Sequence, residues 1–225
     1  MQSQTIIITK ITHLNHNVVQ LTTTKPDDYS FTPGQATDVS ILKNNWKDEK
    51  RPFTFTSLPE DEFLEFTIKT YPSHDGVTDQ IADLEINDQL LIGEPYGAIH
   101  YKGSGTFLAG GAGITPFLSI LKDLDTRNKV FGNTLIFSNK TEKDIFLNVE
   151  LQELLGEKFI NTLTKENHED YKHGRIDADL IKDELVNLKQ YFYLCGPPQM
   201  VKDVKKELNS IGVEDELIIT EDFED

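Results

Sequence analysis

Cysteine is almost missing from this chain: Cys195 is the only one among 225 residues. A lone cysteine excludes an internal disulfide. It also excludes a chain-borne 2Fe–2S cluster, which takes four thiolates. Long apolar runs are missing too, and nothing approaches the ~20 residues that a membrane span requires. Met1-Gln2-Ser3-Gln4 leads straight into Thr5-Ile6-Ile7-Ile8. The basic segment and apolar core of a secretory leader are not there, so a cytoplasmic location is expected. Positive charge is scarce: 22 Lys and Arg stand against 38 Asp and Glu, a net charge of −16. Phosphate backbones would be repelled, which argues against nucleic acid as a partner. The deficit is shared evenly, −8 in residues 1–100 and −8 in 101–225. Lys43, Lys47, Lys50 and Arg51 form the one local basic cluster. His13 and His16 stand three apart in a strand–turn region, His74, His168 and His173 lie in loops without partner carboxylates at ligand spacing, and no metal site is expected.

What the chain does contain divides at about Tyr101. Its length fits two domains, taken here as residues 1–101 and 102–225. In the first, Thr5–Leu14, Val18–Thr24, Ala36–Leu42, Phe53–Ser57, Phe63–Thr70 and Gln89–Ile92 read as short strands, several bounded by turn residues. Such spacing predicts an antiparallel β-barrel. One helix interrupts it, with Val77, Ile81 and Leu84 at i, i+4 and i+7. After Lys102-Gly103-Ser104-Gly105 strand and helix alternate: Thr106–Ala109 then Pro116–Leu124, Thr134–Phe137 then Ile145–Leu155, Tyr191–Leu194 then Gln199–Leu208. That alternation predicts an α/β domain with a parallel sheet, whose ligands bind beyond the carboxyl ends of the strands.

Gly110–Pro116, Ser138–Lys140 and Cys195–Pro198 begin where those strands end, and four segments across both halves read together as one site. Arg51-Pro52-Phe53-Thr54 joins a cation, a flat ring and a hydroxyl. Gly76-Val77-Thr78 opens the interrupting helix, where free N–H groups favour phosphate. Gly111-Ala112-Gly113-Ile114-Thr115-Pro116 follows an apolar strand. It departs from the Rossmann fingerprint because Pro116 stands where a third glycine would be. Cys195-Gly196-Pro197-Pro198 ends another strand.

In order and spacing, from about Gln4 to Phe223, these segments resemble the ferredoxin–NADP reductase family. The resemblance implies a flavin site in the barrel and a nicotinamide site in the α/β domain. It implies that Arg51 binds the flavin pyrophosphate, Phe53 packs on the flavin ring, and Thr54 hydrogen-bonds near flavin N5. The family usually carries tyrosine at the Phe53 position, so stacking is kept and a phenol hydrogen bond is lost. Lys69, Gly76, Val77 and Thr78 are implied at the same phosphates, and a pyrophosphate site favours FAD over FMN. On the other side the resemblance places Gly111, Gly113, Thr115 and Pro116 at the nicotinamide nucleotide. Thr115 would either cap the helix or face the ligand. Cys195, with Gly196 and Pro197, would lie beside nicotinamide C4, shaping the transfer without acting as a nucleophile. The terminal Glu221-Asp222-Phe223 resembles an element that brings a carboxylate and an aromatic ring to the flavin.

Choice of nucleotide rests on two segments. Ser138-Asn139-Lys140-Thr141-Glu142-Lys143-Asp144 resembles NADH-dependent haem-protein reductases of the same superfamily. Thr162-Leu163-Thr164-Lys165-Glu166 resembles the element that holds the 2′-phosphate of NADPH, and Lys165, Lys172 and Arg175 are available cations. NADPH is therefore expected, with NADH possible. The expected activity is hydride transfer from the nucleotide to FAD, with Thr54, Cys195 and Glu221 at the reacting rings. Electrons would then pass to a small carrier such as ferredoxin or flavodoxin. Two alternatives stand beside this: the reductase component of a multi-protein oxygenase, and a non-catalytic flavin-holding module.

Overall fold

A computed structural model of the chain describes residues 3–43, 46–71 and 76–221. The strand-like runs of the first hundred residues form β1 (Gln4–Asn15), β2 (Val18–Thr24), β3 (Ala36–Ile41), β4 (Arg51–Thr54), β5 (Phe63–Lys69) and β6 (Gln89–Ile92). All their ladders are antiparallel, in the order β4-β3-β6-β1-β2-β5. The two ends of this sheet meet. Phe55 bridges Phe66, and the Thr56 N–H donates to Glu65 O at 2.8 Å. A sheet whose edges join leaves no edge strand, and the result is a barrel. Alternation fills it: Ile6, Ile8, Leu21, Val39, Leu64, Phe66 and Ile68 point inward. Phe55 lies at the centre, stacked on Phe31 with ring centroids 4.2 Å apart.

Two expectations shift here. The strand expected over Phe53–Ser57 runs instead from Arg51 to Thr54. Its β3 partners end at Ala36, and beyond Thr54 the chain crosses to β5. The helix expected over Val77–Leu84 is α1 (Val77–Ile81). Its last apolar residue, Leu84, still reaches the barrel core from the following turn.

The second half builds β7 (Gly105–Gly110), α2 (Thr115–Thr126), β8 (Thr134–Asn139), α3 (Asn148–Leu155), β9 (Phe159–Leu163), β10 (Lys172–His173), α4 (Ala178–Glu184), β11 (Tyr191–Cys195), α5 (Pro198–Ser210) and β12 (Ile218–Thr220). The sheet is parallel throughout, in the order β10-β9-β8-β7-β11-β12. Every residue of β7 and β8 is buried, as expected of a sheet covered on both faces. Phe117, Leu121 and Leu151 of α2 and α3 pack on one face. Ile181, Val204 and Leu208 of α4 and α5 pack on the other. The helix expected from Ile145 begins only at Asn148. Thr141 and Asp144 form a capping box around a short 3-10 turn, and Leu147 is left-handed at φ 54°, so the chain turns before the helix starts. No described helix is long and apolar enough to cross a membrane.

The connection between the halves is pinned. The buried Tyr193 hydroxyl accepts from Lys102 N–H at 2.9 Å and Gly103 N–H at 3.1 Å, and donates to Gly103 O at 2.7 Å.

Candidate functional site between barrel and sheet

The carboxyl ends of β7, β8 and β11 open onto the rim of the barrel, and a cleft of about 850 Å³ lies between them. Pro52, Phe53 and Thr54 line it from β4, and Lys69, Tyr71, Thr78 and Tyr96 continue that wall. Three successive residues of one strand share the cleft because β4 ends there, so both of its faces are presented. Phe53 also touches the barrel core, which fixes its ring.

The part of the sheet-side wall made by two loops is nearly bare backbone. Gly110 through Gly113, Cys195, Gly196, Pro197 and Pro198 form it, and side chains such as Asn139, Lys140, Thr164 and Met200 line the cleft around them. A Cβ on Gly113 would lie 2.3 Å from the Cys195 carbonyl oxygen, and one on Gly110 would lie 2.2 Å from the Met200 sulfur. The two loops therefore cross at a separation that only glycine allows. Gly111, at φ +53°, has nothing within 4 Å of a built Cβ. Gly111 thus lines the cleft with open space beside it. Thr115 donates its hydroxyl to Ala112 O at 3.0 Å, bracing the same loop from the first turn of α2. Pro116 is buried in that first turn and shapes the helix start without lining the cleft.

Cys195 is buried, and its thiol is pushed up to about 12, first by burial and then by the neighbouring Glu221. At neutral pH it stays protonated, which removes the nucleophilic form. Glu221 lines the cleft, and burial raises its carboxyl above the usual range against the opposing Ala98 N–H. Burial pulls the Lys69 ammonium below the usual lysine range; Asp144, 3.8 Å away, opposes that fall and Lys140 adds to it.

Not every expected residue arrives. Arg51 points away from the cleft, donating to Lys50 O at 2.7 Å with Glu49 at 3.7 Å. Gly76 does not line the cleft, and the Val77 side chain is buried in the barrel core, leaving only its main chain for a ligand. Thr164 lines the cleft, with its hydroxyl on Asn139 O at 3.2 Å, but exposed Lys165 does not. Lys172 is drawn to Glu184 at 2.6 Å. Lys140 and Arg175 are the cations beside Thr164 in the cleft wall, with Asp203 3.8 Å from Arg175. Phe223 lies outside the described residues.

Tyr96 shows what the sequence reading missed. Taken there as part of a structural turn, it lines the cleft and donates to Asp38 Oδ1 at 2.8 Å. Its signal was an aromatic residue directly before a glycine, Gly97, which sits at φ +137°.

Residues 3–100 match the family described as FAD-binding domain, and 107–206 match the oxidoreductase NAD-binding domain. NADH-cytochrome b5 reductase 1 of Kluyveromyces lactis is 31% identical over 195 residues, 78% of this chain and 68% of that protein. The chain belongs to the FAD- and NAD-binding flavoprotein reductase family that includes NADH-cytochrome b5 reductase 1. Another relative, NADH-cytochrome b5 reductase 1 of Candida glabrata, is 31% identical over 185 residues, 74% of this chain. The match spans 64% of the Candida protein's own length. A ferredoxin NADP+ reductase from Neisseria gonorrhoeae, solved with FAD and NADP bound, shares the reductase fold. It superposes with a TM-score of 0.84 over 98% of both chains at 20% identity. The cleft fits what the family binds: a fixed ring at Phe53, a hydroxyl at Thr54, and the open space at Gly111. Both polar atoms of the buried Asn139 amide lack a partner among the described residues, at the end of β8. A bound group offering donor and acceptor would complete it.

Proposed function

We propose that this protein is a flavoprotein reductase that takes hydride from NADPH onto FAD and delivers electrons singly to a small redox protein. The observation that carries this reading is one cleft holding both Pro52–Thr54 of the barrel and the crossed glycine loops of the sheet. When bound, the flavin supplies the conversion between two-electron and one-electron chemistry. The chain's own residues hold and orient. Phe53 and Thr54 face one side of the cleft, Cys195 and the Gly110–Gly113 loop the other, so two flat rings can be stacked between them. Cys195, protonated and small, limits approach without reacting. Glu221, whose burial favours its protonated form, can hold a proton beside the rings. Arg51, Lys69 and Thr78, with the backbone of Gly76 and Val77, are the groups proposed for the flavin phosphates.

For the nucleotide, Thr164 with Lys140, Arg175 and nearby Lys165 supports a 2′-phosphate site. The carboxylate that follows the end of β9, Glu166, is turned to the Glu142 N–H at 2.8 Å and does not line the cleft. The acceptor is a one-electron carrier of the ferredoxin or flavodoxin kind. The relatives named above instead carry cytochrome b5 in their names, so a b-type cytochrome belongs in the same assay.

Stopped-flow reduction of the purified flavoprotein with NADPH and with NADH tests the reading. We expect NADPH to reduce the flavin with the higher kcat/KM, and Thr54→Val to slow reduction at saturating nucleotide by on the order of 100-fold, as a misplacement of about 1 Å does. Lys165→Ala or Arg175→Ala should lower kcat/KM for NADPH and spare NADH. A wild type that prefers NADH would overturn the phosphate site. A flavin that neither nucleotide reduces would overturn the reductase.

A further inference from the structure

Helix α2 buries Phe117, Leu118, Ile120, Leu121 and Leu124, yet three polar residues run down one of its faces. Thr115, Ser119 and Lys122 stand at i, i+4 and i+7, which places them in one row. Thr115 lines the cleft. Below it, the Ser119 hydroxyl accepts the Gly34 N–H at 2.9 Å. Below that, Lys122 Nζ donates to Thr56 O at 2.6 Å and to Glu65 Oε1 at 2.9 Å. Thr56 donates its own hydroxyl to the same Glu65 oxygen at 2.9 Å and meets Thr67 at 3.1 Å. Every partner of Ser119 and Lys122 in this set belongs to the barrel.

The places they grip are not arbitrary. Gly34 precedes Gln35, whose carbonyl takes the Phe55 N–H at 3.1 Å, and Ala36 pairs with Thr54. Ser119 thus fastens the entry to β3, while Lys122 fastens the exit from β4, two residues past Thr54. At its other end the helix continues directly from the glycine loop. Gly34 cannot be replaced by a longer contact: it is left-handed at φ +97°, and a Cβ there would meet Ile99 O at 2.4 Å. An exposed ion pair would contribute little and only to stability. This one is partly buried, and its lysine also bonds a main-chain carbonyl on the segment that leaves β4, the strand that carries the site.

We propose that Ser119 and Lys122 are positioning residues which set the separation between the Gly111–Thr115 loop and Thr54, and so the gap across which the two rings face. The proposal rests on the reductase reading above, and its test keeps the two apart. Lys122→Met keeps the stem and removes the donors; Lys122→Arg keeps the charge. In the FAD-loaded protein, Lys122→Met should slow flavin reduction at saturating nucleotide about tenfold, since a fraction of an ångström already costs rate. Nucleotide Kd should change less than twofold, and Lys122→Arg should recover most of the rate. Hydrogen exchange supplies a readout independent of turnover: the Gly34 and Thr56 amides should exchange faster in Lys122→Met, and Gly34 faster still in Ser119→Ala/Lys122→Met. A reduction rate unchanged in Lys122→Met overturns the proposal, as does a loss that Lys122→Arg does not recover. If neither nucleotide reduces the wild type, the reductase reading falls, and unaltered Gly34 and Thr56 exchange would then overturn the fastening itself.

Discussion

On the barrel side the cleft wall is made of side chains: Pro52, Phe53, Thr54, Lys69, Tyr71, Thr78 and Tyr96. On the sheet side the two crossed loops offer mainly main chain, with Gly110–Gly113, Gly196 and the small thiol of Cys195, while Asn139, Lys140, Thr164, Arg175 and Met200 add side chains around them. The difference follows from how each fold ends. A barrel strand presents alternating side chains to its rim. In the parallel sheet β7 and β11 each turn into a helix at the cleft, and where those two turns cross, bulk has to be removed. Recognition by the first wall is therefore chemical and adjustable. Recognition by the second depends on close approach and tolerates little change.

The sharpest test of this contrast is to add one carbon to the crowded sheet-side loop and one to a barrel glycine outside the cleft lining. Gly113→Ala puts a Cβ 2.3 Å from Cys195 O, and we expect it to cost about 3 kcal/mol, at the upper end for overpacking. The matched barrel change, Gly93→Ala, meets nothing closer than 3.7 Å and should stay within about 0.5 kcal/mol. Denaturant unfolding of both variants decides, and equal losses would dissolve the distinction.

A smaller effect tests whether the barrel wall is adjustable. Arg51 is turned to Lys50 O, yet its stem leaves β4 next to Pro52 in the cleft wall. If the guanidinium swings to the flavin phosphates, Arg51→Ala should weaken FAD binding by about 1.5–3 kcal/mol, the range for a charge-assisted hydrogen bond. Fluorescence titration of the apoprotein with FAD measures it; unchanged affinity would leave Arg51 as solvated surface.

The smallest effect concerns Glu221, where the two walls meet. Burial raises its folded-state pKa, so between the unfolded and folded values the folded protein holds an extra proton. Stability from this group is then fully present below the ordinary carboxylate range and is lost as pH rises through the raised value. Glu221→Gln should therefore gain on wild type as pH climbs from 4 to 8, by thermal unfolding. A gap between the two proteins that stays constant with pH would show that Glu221 ionises freely.

Legibility in the sequence follows the same division. The six barrel strands were read because their alternation and turn residues are local. The glycine loops were read because close approach leaves glycine in the sequence itself. Strand β9 escaped because Phe-Ile-Asn-Thr-Leu is short and lies inside a sheet covered on both faces, where alternation disappears. Helix α4 has seven residues, too few to show a full apolar stripe. Three residues of β12 gave no signal at all. At the site, Phe53, Thr54, Cys195 and Glu221 come together in one cleft as the resemblance implied, whereas Arg51 and Lys165 do not reach it. Their side chains are long and exposed, and no backbone pattern dictates where such a group points. Ser119 and Lys122 were invisible for another reason, since their partners lie far away along the chain.

The crossing of Gly113 with Cys195 also sets an order of assembly during synthesis. The barrel's ladders close among residues within the first hundred, so that half can form while the rest is still being made. The nucleotide wall cannot, because β7 must wait for β11, which lies near the end of the chain. A nascent chain thus carries the residues of the barrel wall well before it carries both loops of the opposite wall.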